Sequence, residues 1–527
     1  MLLTFLLPAR AIGANGNSTK EPVRQAEVVI SYTQYLWWLI RWSDNKTLCE
    51  IIIDHEGLPT NQEIYKYCGQ AIYNQWIATP PCTLPKNSTS VSSCPGLYLH
   101  LANTQELEKT ILVSLPQPRV WIKLDGCTPT YPSNRCENIP SLLLMGEEPL
   151  PNESITAIHA LAFGKSYNCE GAVCEVPLQP TPRAGTTVEF WADSSYGDSS
   201  KHFTALVRVI DSGVSASPTE SGWYVDVLST QWIGRRIASC AQTWQALPPI
   251  GGPPLWLSTP EHSSLLASAE TYLFLAGRLI IKGFVDAEGC PNGGVNPNGY
   301  ANACGWEKAK TEVQQWQNQF DAQMIDVGKQ TGIPAQLLKN LFAVESQFWP
   351  GISDKDHLGL GHLTDNGAEA LLLWNPTFYA QFCPMVFNEK VCETGYLQLD
   401  EEQQAMLRGA LAVEVKTDCP ECPGGVSLTN AKLSIALFAS TMLANCEQVA
   451  QIVYNATGKI AGKVSSYEDL WKFTVANYHA GPGCLSYALY TAANAGVKLN
   501  WENVSQFFTP ACQGAIDYVT KIAEQPP

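Results

Sequence analysis

The chain has 527 residues, of which 45% are hydrophobic and 16% charged, so it is no charged disordered polymer. At roughly 150 residues per domain it is multidomain, with room for three to four. Lys and Arg number 33 against 49 Asp and Glu, a formal charge of −16, which argues against nucleic-acid binding because phosphate recognition needs a basic footprint.

Eighteen cysteines run from Cys49 to Cys512. The even number points to disulfides in an exported protein. One CxxC pair exists, Cys419 and Cys422, without a matching His/Cys pair at zinc-ribbon spacing. No metal and no cofactor are therefore expected. Residues 1–14 read as a signal peptide whose basic start is missing: an apolar run from Leu2 to Leu7, then small residues ending at Ala11 or Ala14. No other segment reads as membrane-spanning. Tyr35 to Trp42 is the most apolar and falls far short of about 20 residues. A secreted or cell-surface location follows.

Residues 15–145 read as a β-rich, cysteine-containing domain. Within it, 27–58 predict a hairpin, since aromatic and β-branched residues flank a turn at Ser43-Asp-Asn-Lys46. Residues 60–145 are proline-rich and predicted loop-rich. Residues 146–215 predict an immunoglobulin-like β-sandwich. The alternation in Thr187-Val-Glu-Phe-Trp191 and in Phe203 to Val209 has period two. The second of these suits an edge strand equally well. Residues 216–306 form a connecting region with a helix at Ser264–Ile280 and a turn-rich stretch closed by Cys290–Cys304. From Glu307 the period changes. Val313, Trp316, Phe320, Met324 and Val327 step by three or four, one face of a helix, and 307–527 read as all-α. Nine cysteines precede residue 250 and seven follow residue 304. With both counts odd, full pairing requires a bridge between the β-rich and helical halves.

The chemistry concentrates in TGIPAQLLKNLFAVESQFWPG, residues 331–351. Pro334 suits the first turn of a helix. Leu337, Leu338, Leu341 and Phe342 form its apolar face, and Glu345 follows on that same face at the C-terminal end. Burial and the helix dipole both favour the neutral acid there. A neutral carboxyl is what general-acid cleavage of a glycosidic bond needs. The plainer reading of such a glutamate is a boundary residue that stays exposed or pairs with a lysine.

The segment IPAQLLKNLFAVESQFWPG resembles the first motif of the soluble lytic transglycosylases, lysozyme-like enzymes that cleave peptidoglycan. LGLGHL, residues 358–363, stands where that family has Gly-Leu-Met-Gln-Leu. ANYHAGPG, residues 476–483, resembles its Ala-Tyr-Asn-Ala-Gly-Pro-Gly. The motifs occur in the family's order, and the resemblance covers about residues 315–520. It implies a lysozyme-like fold for 307–527 and peptidoglycan glycan strands as the partner. It implies Glu345 as catalytic acid/base, with Ser346, Gly359, His362, Tyr478 and His479 around the substrate. His362 stands where the family has Gln, Gly361 where it has Met, and His479 where it has Asn. The implied reaction breaks the MurNAc–GlcNAc β-1,4 bond and closes a 1,6-anhydro ring. Hydrolysis, as in goose-type lysozyme, is the alternative, with Asp354, Asp356 or Glu369 as the second carboxylate. A surface glycan-binding protein that has lost activity is the other. Phe348, Trp349, Trp374, Phe378 and Tyr379 suit sugar stacking or core equally. Oligomeric state is left open.

Overall fold

A computed structural model describes residues 24–79, 96–128, 133–213, 222–233, 239–351 and 358–524. The expected signal peptide, Cys82, Cys94, Asp354 and Asp356 lie outside these residues. The chain divides into two units. One comprises residues 1–117 with two short insertions, 149–153 and 196–198; the other holds the rest.

The first unit is built on the three-stranded antiparallel sheet β2-β1-β3, from β1 (Gln25–Arg41), β2 (Thr47–Ile53) and β3 (Leu97–Ser114). The hairpin expected at 27–58 forms as β1–β2, with Trp38 opposite Glu50. Between β2 and β3 runs a helix the proline-rich reading missed, α1 (Asn61–Ile77). Thr60 and Glu63 make a capping box at its start, and Cys49–Cys68 fastens it to β2. Leu39, Ile51, Ile53, Ile64 and Leu97 form a small core under it. The Arg24 guanidinium, buried at the end of the ribbon, pairs with Asp198 at 2.6 Å.

The second unit opens with nine strands in two sheets. They are β4 (Arg119–Asp125), β5 (Arg135–Cys136), β6 (Ser141–Glu147), β7 (Ile155–Ala162), β8 (Lys165–Glu170), β9 (Val173–Pro177), β10 (Thr186–Ser194), β11 (Phe203–Asp211) and β12 (Trp223–Leu228). One sheet has the order β5-β12-β11-β10-β7-β8, the other β4-β6-β9. Val188, Phe190 and Ala192 alternate inward from β10, meeting Ile122, Leu144 and Val176 of the smaller sheet in one core. The pattern thus holds as predicted, while its extent is wider than 146–215. β4 and β6 pair across that start, and β12 lies beyond its end. β11 is interior, flanked by β10 and β12, and not an edge.

Thirteen α-helices follow among the described residues. The first six are α2 (Ser239–Trp244), α3 (Leu273–Ile281), α4 (Ala303–Asn318), α5 (Asp321–Thr331), α6 (Ala335–Ser346) and α7 (Asp365–Trp374). Next come α8 (Pro376–Phe382), α9 (Glu389–Cys392), α10 (Glu401–Val415) and α11 (Leu428–Thr457). The last are α12 (Tyr467–Asn494), α13 (Trp501–Val504) and α14 (Gly514–Glu524). The architecture is therefore β-rich then helical, as the change of period implied. The helix expected at 264–280 begins only at Leu273, after a 3₁₀ turn, and the one at 307–329 is two helices that meet near Phe320. Its five stepping residues are all buried.

Eight disulfides join described cysteines. Cys290–Cys304 closes the turn-rich stretch as expected. Cys240–Cys446 is the bridge that parity required, tying the segment after β12 to α11. Trp244 reinforces it by donating from Nε1 to Cys446 O at 3.0 Å. α11 is long and apolar enough to cross a membrane by length and composition, and 61% of its most apolar window is buried inside the fold.

Candidate active site

α6 is buried on every side from Ala335 to Ala343, the polar side chains included. Gln336 donates to Asn340 at 2.9 Å, and Asn340 donates to Ile522 O of α14 at 2.8 Å. Lys339 pairs with Asp321 at 2.8 Å. With all its polar groups engaged the helix is a fixed axle, and Glu345 projects from its last turn. Helix α6 ends at Gln347 and Phe348, two consecutive left-handed residues with φ of 45° and 62°. Such backbone is costly for residues with a Cβ and persists where the surroundings compel it. Here Gln347 Oε1 accepts from the Phe274 and Leu275 N–H groups at 3.1 and 3.3 Å, and Trp316 Nε1 holds Phe348 O at 2.9 Å.

Glu345 is partly open, with its side chain 16% exposed. The Tyr518 hydroxyl of α14 donates to Oε1, and His362 Nδ1 lies 3.3 Å from Oε2. Neither Lys nor Arg pairs with it among the described residues. Burial, then the nearby Glu345 charge, pushes the Tyr518 phenol well above its ordinary range, so it stays a donor. Tyr478 behaves likewise: burial first, then Glu345, raise it well above the ordinary value, and its hydroxyl donates to Gly361 O.

His362 belongs to a tight turn. Leu358 and Leu363 bridge, and His362 itself has φ of 51°. Two glycines permit this turn. Gly359 has φ of 69°, and a Cβ on Gly361 would stand 2.1 Å from the Phe438 ring. The place occupied by Met in the resembled family therefore admits only Gly beside Phe438. The Ser346 hydroxyl, 3% exposed, bonds Leu360 O at 2.8 Å and fastens the turn to α6.

Tyr478 and His479 lie in the last turn of the first segment of α12. Gly481, φ 81°, stops that segment and Pro482 starts the next. Upstream, Asn477 Nδ2 donates to Asn445 and Gln448 of α11, each at 2.7 Å, which sets the rotation of the helix. His479 stacks on the Tyr518 ring at 4.0 Å. Burial lowers its pKa, and the Glu345 charge opposes that. Cys484–Cys512 ties α12 to the chain just before α14, and so holds Tyr518 in place.

The structure thus gathers Glu345, His362, Tyr478 and His479 about one carboxylate. It places Gly359 in the supporting turn, where a Cβ would meet Ser434 at 3.2 Å, and Ser346 at the end of α6, bonded to that turn. Glu369 of α7 acts electrostatically on Tyr396 instead. Phe348, Trp349 and Tyr379 are core, while Trp374 and Phe378 are partly buried against it. Tyr518 escaped the sequence reading. Ala515, Tyr518, Val519 and Ile522 step at helical spacing, and a tyrosine on such a face needs a partner for its hydroxyl. Among the described residues no group of three or more His, Cys, Asp or Glu is arranged to hold a metal. No protein-family model matches this chain, and no curated protein matches it.

Proposed function

We propose that the helical half is a lysozyme-like peptidoglycan lytic transglycosylase, exported to the cell surface or beyond, with an immunoglobulin-like sandwich before it. The observation that carries the reading is the setting of Glu345: one carboxylate at the end of a buried helix, with neighbours from all three resembled motifs or their supporting turns. The eight disulfides agree with an oxidising compartment.

In this mechanism protonated Glu345 gives its proton to the glycosidic oxygen between MurNAc and GlcNAc, and the C1–O bond breaks. The C6 hydroxyl of the same MurNAc then attacks C1. Its proton passes to Glu345, which restores the acid, and no water is consumed. One carboxylate suffices, whereas most hydrolases use two. Tyr518 orients Glu345 by holding Oε1, and in this mechanism Oε2, with His362 Nδ1 3.3 Å away, carries the transferred proton.

One observation favours the hydrolytic reading. His362 sets an imidazole 3.3 Å from Oε2, a second group of the type that serves as a general base in hydrolysis. Mass spectrometry of muropeptides released by the wild type and by Glu345→Gln separates the readings. Anhydro-muropeptides from the wild type alone support transglycosylation. Reducing ends that depend on Glu345 support hydrolysis. Sacculus binding without release by either protein supports a binding module on an enzyme's fold.

A further inference from the structure

A cleft of about 540 Å³ opens on the seam between β11 and the start of α12 and shares no lining residue with the Glu345 site. Its size falls in the ~300–1,000 Å³ range of small-molecule sites. Arg208 lines it. That side chain is 6% exposed and is held rigidly: Nε and Nη2 bond Asp226 at 2.8 and 2.6 Å, and Nη2 also donates to Pro248 O. The third nitrogen, Nη1, donates to no group among the described residues. A guanidinium held through Nε and Nη2 keeps Nη1 available as a donor to a ligand.

Charge on the lining points the same way. Arg183 and Lys463 are exposed there and form no ion pair among the described residues. The one carboxylate on the lining, Glu468, is engaged by Lys472 at 2.9 Å. Asp226 is consumed by Arg208 and by Asn134 at 2.9 Å. Two uncompensated cations thus face one cleft in a chain of charge −16. Leu247 and Ile250 add apolar wall that a bare inorganic anion leaves unused.

We propose that this cleft binds an organic carboxylate, the free C-terminus of a short apolar peptide. Arg208 takes the carboxylate through Nη1, Arg183 and Lys463 supply the field, and Leu247 and Ile250 contact the side chains. The inference does not rest on the glycosidase reading, because no atom of the Glu345 site takes part.

Calorimetric titration of the full chain with N-acetyl-Ala-Leu-Ala tests it, against the same peptide as its C-terminal amide and against inorganic phosphate. The expected result is one site per chain for the free acid. Binding should weaken at least tenfold for the amide and for phosphate, and also in Arg183→Gln/Lys463→Gln. That double variant changes exposed side chains, so its melting temperature reports whether the fold is intact. Equal binding of acid and amide, phosphate binding as tight as peptide, unchanged binding in the folded double variant, or no heat at millimolar peptide would each overturn the proposal.

Discussion

Lys339 and Glu345 stand six residues apart on α6, and the fold treats them in opposite ways. Lys339 is 2% exposed and fully engaged: its ammonium reaches Asp321 Oδ1 and Oδ2 at 2.8 and 3.0 Å and Asn318 Oδ1 at 2.8 Å. Burial pushes Lys339 down and Asp321 up, and their mutual attraction opposes both shifts. Glu345 is more open and has a phenol and an imidazole where Lys339 has a carboxylate. The first arrangement holds two helices together. The second leaves a carboxylate partly open and without a Lys or Arg partner among the described residues. A buried charge that is fully compensated serves structure; one left half-compensated beside solvent is suited to chemistry.

The contrast breaks most sharply at Lys339. Replacing it with Met strands Asp321 and should cost about 3–5 kcal/mol of stability, read from chemical denaturation. Glu345→Gln should leave that stability nearly unchanged while abolishing muropeptide release. Should the two substitutions destabilise equally, the distinction between them fails.

Next in size is the disulfide between α2 and α11. Cys240 and Cys446 close a loop with a sequence separation of 206. Replacing both with Ala should cost about 3 kcal/mol, mainly by freeing the unfolded chain, and the same denaturation curves measure it.

Tyr518→Phe removes the hydroxyl on Oε1 and keeps the ring that stacks on His479. We expect kcat to fall roughly tenfold, ~1.4 kcal/mol in the barrier, with KM unchanged. An unaltered kcat would make Tyr518 a packing residue only.

The smallest effect is in the pH dependence of stability, where two histidines act with opposite sign. The Asn168 hydrogen bond, then Asp193, raises His159 despite partial burial. Its contribution is fully present below pH 6.5 and is lost as pH rises through the raised value. His479 is lowered by burial. Its contribution is present above pH 6.5 and is lost as pH falls, because the unfolded chain takes the proton first. Melting temperatures from pH 5 to 8 should therefore show a shallower alkaline slope in His159→Gln, where the raised His55 still contributes, and a shallower acid slope in His479→Gln.

Local pattern reached a long way into this chain. The period-two strands of β10 and β11, the face through Val313 and Met324 and the Cys290–Cys304 closure were all legible, because each depends on residues close in sequence. The α1 helix was hidden by its proline-rich surroundings, and its Thr60–Glu63 capping box was the available sign. Around Glu345, the helix and its end were legible by spacing, while its two companion segments were indicated only by the resemblance. The partner on Oε1 was not.

Composition and periodicity by themselves determined the order of β-rich and helical halves, the disulfide chemistry, the need for a bridge between those halves and the position of Glu345 on its helix. Tertiary structure alone decided which cysteines make that bridge, that Lys339 is buried and paired with Asp321, and that Tyr518 closes over Glu345 from 173 residues away. It also decided that Arg208, opposite Asp226 in the strand register, faces a cleft. The physical reason is range. Backbone periodicity and turn chemistry act over a few residues and leave their mark in the local sequence, whereas the partner of a buried polar group is chosen by whichever distant segment the packed core brings within hydrogen-bond reach.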